Sequence, residues 1–244
     1  MPGPLDFTFV AMFSVALLLF EYFVFWPRFR AALDSGISGA RRDGYLRIMI
    51  GQWAIAAVAL AIWIAMHRPW SDLRLVAPHG WRLAAGIAIV AAFALLMSAQ
   101  ARSVSRIPPE KRARYRSKLG SVTFLLPHTR EEFRWFAALS ITAGICEELL
   151  YRGYVLWTFT PSLGLAAAAL ASIVLFGAGH AYQGPSHGIR ATAAGAVMTG
   201  IVLLTGSLIP AMVLHALMDL GGGVVGYQLL NDPAPAGTSS APAA

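Results

Sequence analysis

The sequence predicts an all-α fold, a polytopic bundle of about seven membrane helices. Three observations carry that prediction. Hydrophobic residues make up 57% of the 244-residue chain and charged residues only 13%, about half the ~25% charge of a typical soluble domain. Mean hydropathy is +0.61. Apolar runs also recur at the ~20-residue length that an α-helix needs to cross hydrocarbon, and the basic residues crowd between them.

The runs, in order, are Phe7–Trp26, Ile48–Met66, Leu83–Ala99, Phe133–Phe159, Leu163–Tyr182, Ile189–Thr205 and Ile209–Leu230. Breakers separate the last four: Pro161, Gly184 with Pro185, then Gly206 and Pro210. Arg28, Arg30, Arg41, Arg42 and Arg47 follow the first run, and the stretch from Arg102 to Arg134 is richer still. Arg190 falls on the same side, whereas the opposite side has only Arg68, Arg74 and Arg82. The positive-inside rule then places the N-terminus outside and the C-terminus in the cytoplasm. The N-terminus has Asp6 and no early Lys or Arg, so it lacks the basic region of a cleaved signal peptide.

The expected organisation is three helices and a basic loop (1–129), a four-helix core (130–230) and a disordered Pro-, Ala- and Ser-rich tail (231–244). The formal net charge of +7 reflects topology. No nucleic-acid motif accompanies it, so the bilayer is the expected partner and nucleic acid is not. Pro108–Leu119 is polybasic; a solvated cytoplasmic loop is favoured over a lipid-bound one. Cys146 is the only cysteine, which excludes an intrachain disulfide.

A few ionisable residues remain inside the apolar runs: Glu21, Glu147, Glu148, Arg152, His180, His215 and Asp219. Burying such groups in a membrane costs several kcal/mol. Glu148 and Arg152 are four apart and share a helix face, as are His215 and Asp219. Glu147 sits about 100° round the helix from Glu148 and has no partner there, so it must find one elsewhere or carry a proton. Measured from the outer turns at ~1.5 Å per residue, Glu147, His180, His215 and Asp219 lie at depths spread over ~14 Å, so one site requires tilt or a helix break.

Each residue also has a structural reading. Glu148 with Arg152 serves equally well as a buried ion pair, and His180 or His215 alone as a hydrogen-bonded packing residue. Glu21, among aromatics, reads as structural. His128 and His187 have no partner that the sequence names. The two histidines taken together with Glu147 favour a shared site. There Glu147 would act as general base on water, with His180 holding that water or a metal. His215 and Asp219 would stabilise an oxyanion or complete a metal shell. Amide or ester hydrolysis is the natural chemistry. No G-x-S-x-G or H-E-x-x-H pattern is present, and Ser172 is a poor nucleophile candidate. The alternative is a non-catalytic membrane protein with a transport, immunity or scaffold role; a transporter would more often show two related halves, and none is visible.

Three motifs sharpen this. "EELLYR" (Glu147, Glu148, Arg152), "FGAGH" (Phe176, His180) and "HALMD" (His215, Asp219) resemble the E-E-x-x-x-R, F-x-x-x-H and H-x-x-x-[ND] motifs of the CPBP (CAAX protease and bacteriocin-processing) membrane proteins, which include the type II CAAX prenyl endopeptidases. The resemblance covers roughly residues 127–225, and "LPHTREEF" is similar to the lead-in segment of bacterial members. It implies an intramembrane endopeptidase of a bacterial plasma membrane, acting on peptide or membrane-protein substrates. Glu147 would be the base and His180 would position water. His215 and Asp219 would hold the oxyanion, with Glu148, Arg152 and Phe176 in support. Aspartate stands where many members have asparagine, and it donates a hydrogen bond only when protonated. The resemblance leaves the cofactor open between none and a divalent metal; zinc, if used, would be held by Glu147, His180 and His215.

Overall fold

The computed structural model describes residues 1–231; the tail expected to be disordered lies, from residue 232 onward, outside the described residues. All regular structure within them is helical. The helices are α1 (Pro4–Asp34), α2 (Ala40–Ala65), α3 (Gly80–Ser105), α4 (Pro109–Ser117), α5 (residues 130–163), α6 (Leu165–Gly179), α7 (Pro185–Thr205) and α8 (Ile209–Leu230). Short 3₁₀ turns at Gly120–Leu125 and Ala181–Gln183 complete them.

The lead-in segment shows why α5 starts where it does. Thr129 accepts a hydrogen bond from the Glu132 amide (3.1 Å), and the Glu132 carboxylate takes the Thr129 amide (3.1 Å) and the His128 amide (2.7 Å). This capping box satisfies donors that a helix start leaves open. The other Glu132 oxygen pairs with Arg41 of α2 at 3.0 Å, so the cap also sets the neighbour. Within α5, Leu149–Val155 winds as a π-helix, a widening often found at functional sites. The widened backbone finds a partner outside α5: the Ser172 hydroxyl of α6 donates to the Tyr151 carbonyl at 2.7 Å.

α5 is the central element, with α2 and α8 packed against it and α6 against its π segment. Gly144 makes the α5–α8 approach possible, since a Cβ there would lie 2.7 Å from the Met212 carbonyl oxygen and 2.9 Å from the Ala216 nitrogen. Trp63, Leu73, Tyr154, Val202 and Leu208 fill the core. α3 stands at the edge and turns Ile87 and Leu95 outward, 61% and 69% exposed, as a helix facing hydrocarbon would.

Hydrogen bonds close the two ends of the bundle. At one, Arg30 donates to the Tyr182 carbonyl, Tyr45 to the Leu125 carbonyl and Ser121 to the Gln183 carbonyl. At the other, Ser207 donates to the Val76 carbonyl and Arg68 pairs with Asp6.

Five helices, α1, α2, α3, α7 and α8, are long and apolar enough to cross a membrane, and the chain is an integral membrane protein. The expected count of seven spans is not confirmed. The two helices that fall short have physical reasons to do so. α6 has only 15 residues, about 22 Å at 1.5 Å per residue, and α5 carries the buried charges of "CEELLYR".

Candidate active site

The π segment and the helix before it place Glu147, Glu148 and Arg152. Glu148 and Arg152 are both fully buried, and Arg152 Nη1 donates to Glu148 Oε1 at 2.9 Å. This is the pair the spacing suggested. The same Glu148 oxygen also lies 2.8 Å from Nδ1 of His215. His215 therefore meets α5 through Glu148; its contact with Asp219, which shares its helix face, is longer, at 3.7 Å.

His180 does not lie inside a helix as expected. α6 ends at Gly179, and His180 sits on the cap with φ −98° and ψ 0°. Its Nδ1 is 2.8 Å from the Phe176 carbonyl. A carbonyl only accepts, so Nδ1 carries a proton, and in the neutral imidazole Nε2 then presents a lone pair. Phe176 touches most of the site: its ring lies 4.1 Å from the Arg152 guanidinium carbon and has ring contacts with His180 and His215. A Cβ on Gly195 would come within 2.9 Å of Arg152 Nη2 and 3.1 Å of the Phe176 ring; the missing side chain lets α7 close over both.

Glu147 is where these parts meet. Its Oε2 lies 3.9 Å from His180 Nε2 and 3.9 Å from His215 Nε2, is buried, and has no hydrogen-bond partner. The depth spread read from the sequence does not keep these groups apart. Oε1 of Glu147 accepts a hydrogen bond from Gln52 Nε2 of α2 at 2.7 Å. That is the partner Glu147 lacked on its own helix.

A cavity of about 490 Å³ opens onto this group, with Glu147, His180, His215, Asp219, Gln52 and Glu21 in its wall. Two of these add to the sequence reading. Glu21, which reads from the sequence as structural, faces the same cavity as Glu147. Gln52 carries no charge, and its one usable signal in the sequence is an amide in the middle of an apolar run. His187, which had no nameable partner, also lines the cavity. Ser172, bonded to the Tyr151 carbonyl and fully buried, is no nucleophile.

Residues 129–221 match the family model for type II CAAX prenyl endopeptidase Rce1-like proteins. No curated protein and no solved structure matches the chain. The Rce1-like segment contains all three motifs and runs from the capping box of α5 into α8. Glu21 and Gln52 lie outside it, on helices that the match does not reach.

Glu147, His180 and His215, the ligands expected for zinc, stand somewhat wider apart than the ligands of a bound zinc ion. Tetrahedral ligands held at about 2.0–2.1 Å stand ~3.3 Å apart, whereas Glu147 Oε2 is 3.9 Å from each imidazole nitrogen. Among the described residues, no group of three or more His, Cys, Asp or Glu is placed to hold a metal ion.

Proposed function

We propose that this chain is a membrane-embedded endopeptidase in which Glu147 acts as general base on a water molecule. The observation that carries the reading is the convergence of Glu147 Oε2 with the Nε2 atoms of His180 and His215 on one cavity. Two hydrogen bonds of ~2.8 Å meeting at about a right angle span ~4.0 Å, so a water oxygen fits between Glu147 Oε2 and His180 Nε2.

The steps follow from the donors and acceptors. The water gives one hydrogen to Glu147 Oε2 and the other to the lone pair on His180 Nε2. As its oxygen bonds to the carbonyl carbon, Glu147 takes the first proton. Charge develops on the carbonyl oxygen, where stabilisation has its largest effect. His215, in its doubly protonated form, donates Nδ1–H to Glu148 and Nε2–H to that oxyanion. Asp219 adds a donor only while it holds a proton. When the C–N bond breaks, Glu147 returns the proton to the leaving amine. Gln52 holds the other oxygen of Glu147, so Oε2 keeps its aim. The substrates are peptides or membrane proteins, reached from the cytoplasmic side if the basic loops mark that face of a bacterial plasma membrane.

The deciding experiment is proteolysis of candidate membrane peptides by the purified chain and by Glu147→Gln. Loss of a general base costs about 10²–10⁴-fold in rate, and that loss is the expected result with the fold intact. A Glu147→Gln variant that cleaves at near-normal rate refutes the mechanism. The reading requires no metal, so wild-type cleavage should persist after exhaustive chelation. Abolition by chelation and recovery with zinc would overturn this part.

A further inference from the structure

Phe13, Leu17 and Glu21 stand four residues apart along α1, and all three line the active-site cavity. Glu21 opens a π-helical segment, Glu21–Phe25. It also faces a small adjoining recess with Gly179 and Tyr182, on either side of His180 in the chain. The surrounding wall is stiff: Trp26 stacks on Tyr182 at 3.7 Å, and Arg30 holds the Tyr182 carbonyl at 2.7 Å. Among the described residues, Glu21 makes no hydrogen bond and no ion pair, and the charge acting on it is that of Glu147. Every other carboxylate in the cavity has a proton donor nearby. Gln52 serves Glu147, and His215 stands beside Asp219.

A carboxylate in an apolar wall, repelled by a second carboxylate and met by no cation, is costly to bury. The cavity has cationic groups, but Arg190 is exposed at its rim, where screening leaves it little effect. The interaction that would offset the cost is with a group that enters the cavity.

We propose that Glu21 is a specificity-determining residue of this active site, its carboxylate receiving the ammonium or guanidinium group of a Lys or Arg side chain that flanks the scissile bond. This rests on the proteolytic reading given above. The preferred substrate is then a largely apolar segment with one basic side chain beside the cleaved bond: apolar to suit Phe13 and Leu17, basic to reach Glu21. A cationic group fixed beside His180 also orients the peptide relative to Glu147.

The test uses the full chain and N-acetylated, C-amidated apolar octapeptides that differ only in a central Lys, norleucine or Glu. Blocked ends ensure that the side chain is the only source of charge. The expected wild-type order in kcat/KM is Lys above norleucine above Glu, with about tenfold or more between Lys and norleucine, as a close charge pair in a desolvated site gives. Glu21→Gln should lower kcat/KM for the Lys peptide about tenfold more than for the norleucine peptide, and Glu21→Lys should reverse the order in favour of Glu. Equal wild-type rates on Lys and norleucine, or an equal fall on all three peptides in Glu21→Gln, would overturn the proposal. If the chain cleaves nothing, the proteolytic reading fails separately. Anisotropy of the fluorescein-labelled Lys peptide then decides: weaker binding to Glu21→Gln than to wild type supports the cation site, and equal binding refutes it.

Discussion

Glu148 meets two partners through one oxygen. Arg152 Nη1 is 2.9 Å from Oε1 and His215 Nδ1 is 2.8 Å from it, with Glu148 and Arg152 fully buried. The residue therefore neutralises a guanidinium and fixes the face that an imidazole turns to the cavity. Removing one member of a buried pair leaves the other charge uncompensated, a cost of about 3–5 kcal/mol. Arg152→Met and Glu148→Gln should each lower the thermal unfolding midpoint and the yield of folded protein. Glu148→Gln combined with Arg152→Met should recover part of that loss while activity stays low, because His215 has still lost its carboxylate. A thermal-shift cycle over the four chains measures the coupling, and additive losses would show that the pair does not act as a unit. Asp219 should behave differently. Its side chain is 36% exposed and lies 3.7 Å from His215 Nε2. Asparagine has a similar shape and donates without needing a proton, so Asp219→Asn should fold and should retain or gain cleavage activity. Abolished cleavage with intact folding would instead require the carboxylate itself.

At the scale of elements, the sequence revealed what a single helix can encode and little of what pairs of helices decide. The Glu148–Arg152 pair follows from a four-residue spacing, and the structure places it as that spacing implies. The chemistry of Glu147, His180 and His215 was legible because each is a costly polar group in an apolar run. Gln52 was not, since an uncharged amide costs less to bury. Glu21 reads as structural because it sits among aromatics, and spacing along one helix cannot reveal a neighbour on another. The π segment at Leu149–Val155 was equally invisible, as a lone glycine, Gly153, inside an apolar helix does not announce one. A second tie between elements, at the opposite end of the bundle, went unforeseen for the same reason. Asp6 is buried and takes a two-pronged bond from Arg68 at 2.7 and 2.8 Å and the Tyr154 hydroxyl, while the Arg68 guanidinium lies over the Trp157 ring at 4.4 Å. This network fastens α1 to α5 at the end of the π segment. Asp6→Ala should strand the Arg68 charge and the Tyr154 hydroxyl, destabilising the fold by several kcal/mol. Protease nicking of α1 under conditions that spare wild type would register the loosening. An unchanged cleavage pattern and unfolding midpoint would make the network incidental.

At the scale of the whole molecule, the Rce1-like match and the cavity do not have the same boundaries. The match begins at residue 129, and the expected division put the catalytic core at residues 130–230. Yet the amide on Glu147 comes from Gln52 of α2, the Thr129 cap is pinned by Arg41 of α2, and Phe13, Leu17 and Glu21 of α1 form one wall of the cavity. Without α1 and α2, Glu147 would lose its hydrogen bond and the cavity would open to lipid on that side. Water held beside Glu147 by a closed apolar wall would then give way to hydrocarbon. A chain starting at residue 127 is therefore expected to enter membranes, since α7 and α8 retain their length and apolarity, but to cleave nothing. Co-expression of residues 1–126 as a separate polypeptide should restore activity, because the contacts between the two parts are non-covalent and need no peptide bond at the junction. Restoration should fail when that fragment carries Gln52→Leu, which keeps the packing volume but removes the donor to Glu147. Cleavage by the shorter chain alone, measured on the same peptides, would place the whole reaction within the matched segment and reduce α1 and α2 to packing.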